Sequence, residues 1–107
     1  MELNQYDIVL VNLDPTIGSE IKKTRPCTII SPDEMNKHLR TIVVSPMTTK
    51  SRNYPTRIEI KHGGKIGWIV IDQVRTIDKQ GIIKIHGRLT RPEVKEVKAI
   101  MKETYVD

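Results

Sequence analysis

The chain has 107 residues, enough for one small domain, and its 18 Lys and Arg side chains outnumber 13 Asp and Glu. Residues 91–107 hold four charges of each sign, so the basic excess lies in residues 1–90 and favours a polyanionic partner. One cysteine excludes an internal disulfide and a zinc site of several cysteines, and no apolar run could span a membrane. The first residues lack a signal-peptide pattern, so we expect a soluble, cytoplasmic protein. We also expect that the protein needs no cofactor.

The apolar residues favour strands over helices, because 16 Ile and 9 Val are β-branched and Phe is absent. In chain order, the first strand covers residues 7–13 and is closed by Asp14-Pro15. A later run at residues 41–45 is expected to end at Pro46. We interpret the strand-like runs as five or six short strands. The seven strand-like runs lie at residues 7–13, 27–31, 41–45, 56–61, 67–71, 74–78 and 82–86.

Two segments predict helices. Ser31-Pro32-Asp33-Glu34 opens a short helix that ends near Leu39. Towards the C-terminus, Thr90-Arg91-Pro92-Glu93 has the pattern of a capping box with a proline in the first turn. The helix that follows has an apolar side, which is expected to pack on the strands. That side consists of Val94, Val97, Ile100 and Met101.

These elements predict a mainly β protein of the α+β class. We expect a small antiparallel, partly closed barrel of the SH3-like kind, with the short helix and the C-terminal helix packed on it. No linker or repeat divides the chain, so residues 1–107 form a single domain. A chain this short buries a modest core, and association with a second copy would help to complete it.

The three histidines and the cysteine carry no catalytic pattern. His38 ends a short helix, His62 lies in a turn, and His86 alternates with Ile85 on an outer strand face. None of them has a carboxylate at relay or metal-ligand spacing. Cys27 lies within an apolar strand. We therefore expect structural roles for all four, with Cys27 buried as a small hydrophobic side chain.

Three polar loops at strand ends carry the remaining candidates. Hydroxyl, amide and guanidinium groups together suit a phosphate, and the guanidinium fork matches its geometry. A capped turn, a Ser/Thr turn and a surface salt bridge explain the same three segments equally well. The residues concerned are Glu20, Lys22, Lys23 and Arg25 in the first loop, Thr48, Thr49, Lys50 and Arg52 in the second, and Asp72, Gln73 and Arg75 in the third.

The sequence resembles the MazF/PemK/Kid family of toxin endoribonucleases from bacterial toxin–antitoxin pairs. The resemblance covers nearly the whole chain, and its segments are LDPTIGSE, KKTRPCTIISP, TIVVSPMTTKSRNYP and GWIVIDQVRTIDK, in family order. It implies an SH3-like barrel homodimer that cuts single-stranded RNA sequence-specifically without a metal. The expected products carry a 2′,3′-cyclic phosphate and a 5′-hydroxyl. A cognate acidic antitoxin is the other implied partner.

The same resemblance assigns roles to particular residues. The family's essential arginine falls on Arg25, its threonine on Thr48 and its base on Glu20. Another branch uses an Arg-x-Asp pair, and here Asp72 is present but Val70 replaces the arginine, so Asp72 is the alternative base. The expected RNA contacts are Lys22, Lys23, Thr49, Lys50, Arg52, Asp72, Gln73 and Arg75. No metal ligands are expected.

Some residues depart from the family, and two other functions stay open. Lys22-Lys23 stands where relatives often have glycines, and Gly81 where many have an arginine. A gyrase poison of the CcdB type has the same fold, but it depends on a Trp-containing C-terminus, whereas Trp68 lies in a strand here. A non-catalytic nucleic-acid-binding barrel would stack bases on aromatic side chains, which are scarce in this chain.

Overall fold

The computed structural model describes residues 2–12, 24–62 and 64–106. The strands β1 to β7 in these residues are Asp7–Asn12, Thr24–Ile29, Thr41–Thr48, Arg57–His62, Lys65–Val70, Arg75–Asp78 and Ile82–Arg88. The helices are α1 at Asp33–His38 and α2 at Arg91–Tyr105, and two 3-10 turns lie at Ile71–Gln73 and Lys79–Gly81. No helix among these residues is long and apolar enough to cross a membrane.

The strands form one antiparallel sheet with the order β4-β5-β3-β2-β1-β7, and β6 also pairs with β3. Within the described residues β4 and β7 stand at opposite ends of this path, so the barrel is not closed. The predicted fold is confirmed: a mainly antiparallel β structure with one short helix and a C-terminal helix. Seven strands form where five or six were expected, because each of the seven strand-like runs, including the four-residue β6, is a strand of its own.

Alternation along the strands divides the core between two clusters. Ile8 belongs to the first cluster and its neighbour Val9 to the second. The first cluster lies under α2, whose Val97 is almost fully buried, while Val94, Ile100 and Met101 pack at its edge. The apolar side predicted for the C-terminal helix is therefore confirmed. The second cluster includes Val9, Val11, Cys27, Ile29, Ile42 and Val44.

The capping box at the start of α2 is also confirmed. The Glu93 backbone N–H donates to Thr90 Oγ1 at 3.4 Å, and the Thr90 N–H donates to Glu93 Oε1 at 2.8 Å. Each bond satisfies an amide hydrogen that the helix itself leaves unpaired. The start of α2 is thus set by its local sequence.

Several strand ends differ from the prediction, and two of the differences involve proline. β3 continues through Pro46 to Thr48, and β2 begins at Thr24, ahead of Pro26. Pro46 pairs only with Cys27 of β2, because β3 leaves β6 after Val44 and joins β5 at Met47. A proline at this change of neighbours removes no pairing with β5 or β6. The extra residues carry Arg25 and Thr48 within regular strands.

Candidate functional site

An open cleft of about 520 Å³ lies where β2 begins and β3 ends. Part of its wall is apolar and belongs to the first core cluster, through Ile8, Met47 and Ile60. The polar side chains that line it are Thr24, Arg25, Thr48, Thr49 and His86. In the part of the chain that the structure describes, no carboxylate lines this cleft. An accessible, positively charged cleft of this composition suits a phosphodiester.

Strand register explains why Arg25 and Thr48 meet. β2 and β3 pair at Cys27 with Pro46, and continuing this register by two residues sets Arg25 opposite Thr48. The pairing stops before that point, because β3 now pairs with β5, where Thr48 lies opposite Trp68. The cleft therefore opens between two strand ends that the sheet holds in fixed register. Side chains on such ends are positioned more rigidly than side chains on a loop.

The hydroxyl of Thr48 is already engaged in a local turn. Thr48 Oγ1 donates to the Lys50 carbonyl at 3.2 Å and accepts from the Lys50 N–H at 3.1 Å. This is the Ser/Thr turn that the sequence offered as an alternative to a phosphate site. The turn begins at the last residue of β3, so Thr48 shapes the rim of the cleft as well as lining it.

A second polar group surrounds Arg57 at the start of β4. Its guanidinium donates to both carboxylate oxygens of Asp72, at 3.3 and 3.4 Å, and to Ser51 Oγ at 3.1 Å. It also lies over the ring of Tyr54, with 5.1 Å from Cζ to the ring centroid. Thr56 Oγ1 donates to Asp72 at 2.9 Å. One side chain thus connects β4, the turn after β5 and the segment between β3 and β4.

This arrangement affects the acidity of Asp72. Desolvation alone would raise the pKa of Asp72, but hydrogen bonds from Arg57 and Thr56 and the charge of Arg57 outweigh it and lower the pKa. A carboxylate held in this way is a weak proton acceptor. Arg57 also lies opposite Val70 in the β4–β5 register. An arginine therefore reaches Asp72 from the neighbouring strand β4. The position on β5 where the family resemblance expects an arginine holds Val70 instead.

His86 lies in the cleft with Arg25 and Thr48, which the sequence did not indicate. Its strand, β7, pairs with β1, which in turn pairs with β2. The sequence correctly placed His86 on an exposed strand face. The expected structural role rested on sequence spacing alone. The sequence did not indicate that this face borders the cleft. The reason is that the pairing of β7 with β1 leaves no local signal in the sequence.

Comparisons with known proteins address the family. A family model described as "PemK-like, MazF-like toxin of type II toxin-antitoxin system" matches residues 4–105. The chain belongs to this toxin family. The Endoribonuclease MazF of Staphylococcus saprophyticus is 33% identical over 101 residues, which cover 89% of this chain and 84% of that protein. The resemblance inferred from the sequence is confirmed.

Solved structures show the same fold for this family member. MazF from Deinococcus radiodurans has a TM-score of 0.82 and 19% identity, covering 100% of this chain and 99% of that one. A mycobacterial endoribonuclease in complex with its cognate antitoxin has a TM-score of 0.81 and 18% identity, covering 94% and 92%. At these identities the similarity concerns the backbone arrangement.

The structure brings some of the predicted RNA contacts together. Thr49 lines the cleft with Arg25 and Thr48, and also lines a second open cleft of about 580 Å³. Lys50 and Arg52 belong to that second cleft, beside Tyr54 and Arg57. Thr49 therefore connects the two clefts, and the second is lined by three cations: Lys50, Arg52 and Arg57.

Asp72, Gln73 and Arg75 do not line the cleft that holds Arg25. Asp72 and Gln73 form part of the 3-10 turn after β5, and all three residues are exposed. The charge of Arg75 nevertheless acts on the same side of the sheet as Arg25. Burial raises the pKa of the Cys27 thiol, and the charges of Arg25 and Arg75 both oppose that rise.

Three predicted site residues, Glu20, Lys22 and Lys23, lie outside the described residues. Gly81, which is described, approaches the Asn12 carbonyl so closely that a Cβ would stand 3.3 Å from that oxygen. In the described ranges, no three His, Cys, Asp or Glu side chains form a group that could hold a metal ion.

Proposed function

We propose that this toxin-family chain is an endoribonuclease that cleaves single-stranded RNA by attack of a 2′-hydroxyl on the adjacent phosphate. The observation that carries the proposal is the meeting of Arg25 and Thr48 in one open cleft. The 33% identical relative named Endoribonuclease MazF supports the reaction class. The reaction needs no metal and yields a 2′,3′-cyclic phosphate and a 5′-hydroxyl.

Arg25 stabilises the charge that develops on the phosphorane oxygens. A guanidinium is a planar cation that can hold two oxygens at once. A donor placed in advance at such a charge contributes on the order of 10²–10³ in rate. Thr48 supplies a second donor after its O–H turns from the Lys50 carbonyl, while the Lys50 N–H still holds Thr48 Oγ1 in place.

The base is Glu20, the carboxylate that the family resemblance assigns. Asp72 is the alternative, and its surroundings argue against it. Both of its oxygens accept hydrogen bonds from Arg57, its pKa is lowered, and it does not line the cleft. Asp72 and Arg57 together instead hold the segment that carries Ser51 and Tyr54, next to the expected RNA contacts Lys50 and Arg52.

The proposed setting is a cytoplasmic homodimer that a cognate acidic antitoxin inhibits. Exposed aliphatic side chains, including Ile66, Ile83 and Ile85, give the single chain apolar surface that a second copy would cover. Complexes of MazF with MazE from Deinococcus radiodurans, and a mycobacterial complex, support an antitoxin partner. Light scattering at micromolar concentration should give the mass of two chains, and a monomer mass would contradict the dimer.

The experiment uses purified protein and a mixed-sequence RNA in EDTA, followed by mapping of the new ends. We expect cleavage with cyclic phosphate and 5′-hydroxyl ends. Arg25→Ala should lower the single-turnover rate by roughly 10²-fold or more, and Arg25→Lys should restore only part of it. Thr48→Ala should lose less activity than Arg25→Ala, because a neutral hydroxyl binds an anion more weakly. Arg40→Ala is the matched control, an exposed arginine after α1.

Three results would contradict this function. Full activity of Arg25→Ala, with circular dichroism showing an intact fold, would place the site elsewhere. Loss of cleavage on adding EDTA would show that a metal takes part. Binding of the RNA without any cleavage would favour the non-catalytic nucleic-acid-binding barrel.

A further inference from the structure

A β-bulge in β7 isolates His86 from the regular strand pairing. In the β1–β7 register Ile8 lies opposite Gly87 and the next residue, Val9, lies opposite Ile85. His86 is therefore the extra residue, without a partner position on β1. Bulges of this kind change the direction of a side chain and are frequent next to active sites.

The bulge accounts for the position of His86 at the cleft. Ile8, which flanks the bulge on β1, lines the same cleft as His86, Arg25 and Thr48. His86 is exposed, so its ring can be reached by a bound molecule. Among the described residues lining the cleft, Arg25 and His86 are the only side chains with an ionisable group.

The proposed reaction needs a proton donor, and apart from His86 the described residues that line this cleft offer none suited to the task. The departing 5′-oxygen must receive a proton as its bond to phosphorus breaks. A guanidinium such as that of Arg25 holds its proton too strongly for this task, and the Thr48 hydroxyl is a weaker acid still. Histidine is the side chain that exchanges a proton most readily near neutral pH.

We propose that His86 is a catalytic residue that protonates the leaving 5′-oxygen, an inference that rests on the proposed function. The 2′-oxygen forms a bond to phosphorus and gives its proton to the base. The bond from phosphorus to the 5′-oxygen breaks, and the imidazolium of His86 transfers one proton to that oxygen. The products are the 2′,3′-cyclic phosphate, the 5′-hydroxyl, a protonated base and a neutral imidazole. The base releases its proton to the solvent and the imidazole takes one up from it, so no net proton is consumed.

The test compares two RNA substrates of the same sequence. One has the ordinary phosphodiester at the cleaved position, and the other has sulfur in place of the bridging 5′-oxygen. A thiolate leaves without being protonated, so the second substrate does not require an acid. His86→Ala should cleave the oxygen substrate at least about 10²-fold more slowly than the unmodified chain. It should cleave the sulfur substrate within a few-fold of the unmodified chain.

Three further variants make the result specific. Arg25→Ala should be slow on both substrates, because it stabilises phosphorane charge whichever atom leaves. His38→Ala is the matched control, since His38 is exposed on α1 with its Nε2 3.4 Å from Glu34, and it should be fully active on both. His86→Gln keeps a polar side chain without an acid and should behave like His86→Ala.

Three outcomes overturn the inference. Full activity of His86→Ala on the oxygen substrate would show that no proton comes from this residue. Equal losses on both substrates would show that His86 binds RNA or supports the fold instead. If the unmodified chain cleaves neither substrate, the proposed function itself fails, which this design separates from the first two cases.

Discussion

Cys27 shows how a single buried side chain sits between the cleft and the core. Its side chain is fully buried, and the thiol donates weakly to the Arg25 carbonyl, with 3.7 Å from Sγ to oxygen. Burial raises the pKa of this thiol to about 11, although the charges of Arg25 and Arg75 oppose the rise. The prediction that Cys27 is a buried small hydrophobic residue is confirmed. Cys27 lies on the same side of β2 as Arg25, because side chains two residues apart on a strand point to the same face.

We expect the native chain to be unreactive towards thiol reagents at pH 8. The reacting species is the thiolate, and both burial and the raised pKa keep its concentration very low. Spectrophotometric titration with a disulfide reagent should detect no rapid reaction in buffer and one thiol after unfolding in guanidinium chloride. Rapid stoichiometric labelling of the folded chain would contradict this, and it would place Cys27 at an accessible surface.

At the scale of elements, the Arg57–Asp72 pair ties together three parts of the chain. Arg57 begins β4, Asp72 lies in the turn after β5, and Ser51 belongs to the segment after β3. The side chains of Arg57 and Asp72 are 20% and 35% exposed, so solvent weakens the attraction. The main effect of the Arg57–Asp72 pair is to fix the position of the segment next to Lys50 and Arg52.

This pair predicts a pH dependence of stability. The folded-state pKa of Asp72 is lowered, so its contribution is complete above the unfolded-state value and is lost as pH falls through the folded-state value. Asp72→Asn should therefore lower the free energy of unfolding by up to about 1 kcal/mol at pH 6. The difference from the unmodified chain should shrink as the pH falls below the ordinary pKa of an aspartate, about 3.9.

Urea unfolding of Asp72→Asn, Arg57→Gln and the double variant measures the coupling. The two single losses should not add, because either change breaks the same interaction. Glu59→Gln, at an exposed carboxylate on β4, is the control and should show no such coupling with Arg57→Gln. Fully additive losses in the Arg57 and Asp72 cycle would show that the pair contributes nothing beyond its separate side chains.

The elements also show what the sequence could and could not predict. Strand runs and the Thr90–Glu93 capping box are local patterns, and the structure contains both. Arg25 and Thr48 were assigned by family resemblance, and their meeting follows from the β2–β3 register. Arg57 and His86 were missed because each depends on pairing between strands: β4 with β5, and the bulge between β1 and β7. Such pairing leaves no signal in a single segment.

At the scale of the molecule, α2 carries four cations and three acids, and the two signs lie on different sides of the helix. Its cations recur at steps of four, three and four residues, which return to the same side of a helix. The acids of α2 fall on a different side: Glu93, Glu96 and Glu103. Several of the cations line a cleft of about 610 Å³ with Tyr6 and Arg88: Arg91, Lys95 and Lys98. The part of the chain that the structure describes therefore has two cationic surfaces, this one and the clefts around Arg25 and Lys50.

The two surfaces should differ in how strongly they attract an acidic partner from a distance. On α2 the opposite charges are about one helix diameter apart, roughly 10 Å, which is close to the Debye length in physiological salt. Their fields largely offset each other beyond that range. Residues 37–65 carry seven cations and one acid, so their field is not offset in this way. An acidic antitoxin segment should therefore bind to the surface that includes Lys50 and Arg52.

Two charge-reversal variants test this prediction with a short fluorescein-labelled poly-glutamate peptide. Lys50→Glu with Arg52→Glu should weaken binding by about tenfold or more at low salt, and the affinity of the unmodified chain should fall as salt rises. Lys95→Glu with Lys98→Glu makes the same change of charge on α2 and should weaken binding less. Fluorescence anisotropy measures all three proteins. A larger loss from the α2 variant would place the acidic partner on the C-terminal helix, and an affinity independent of salt would exclude an electrostatic interaction at either surface.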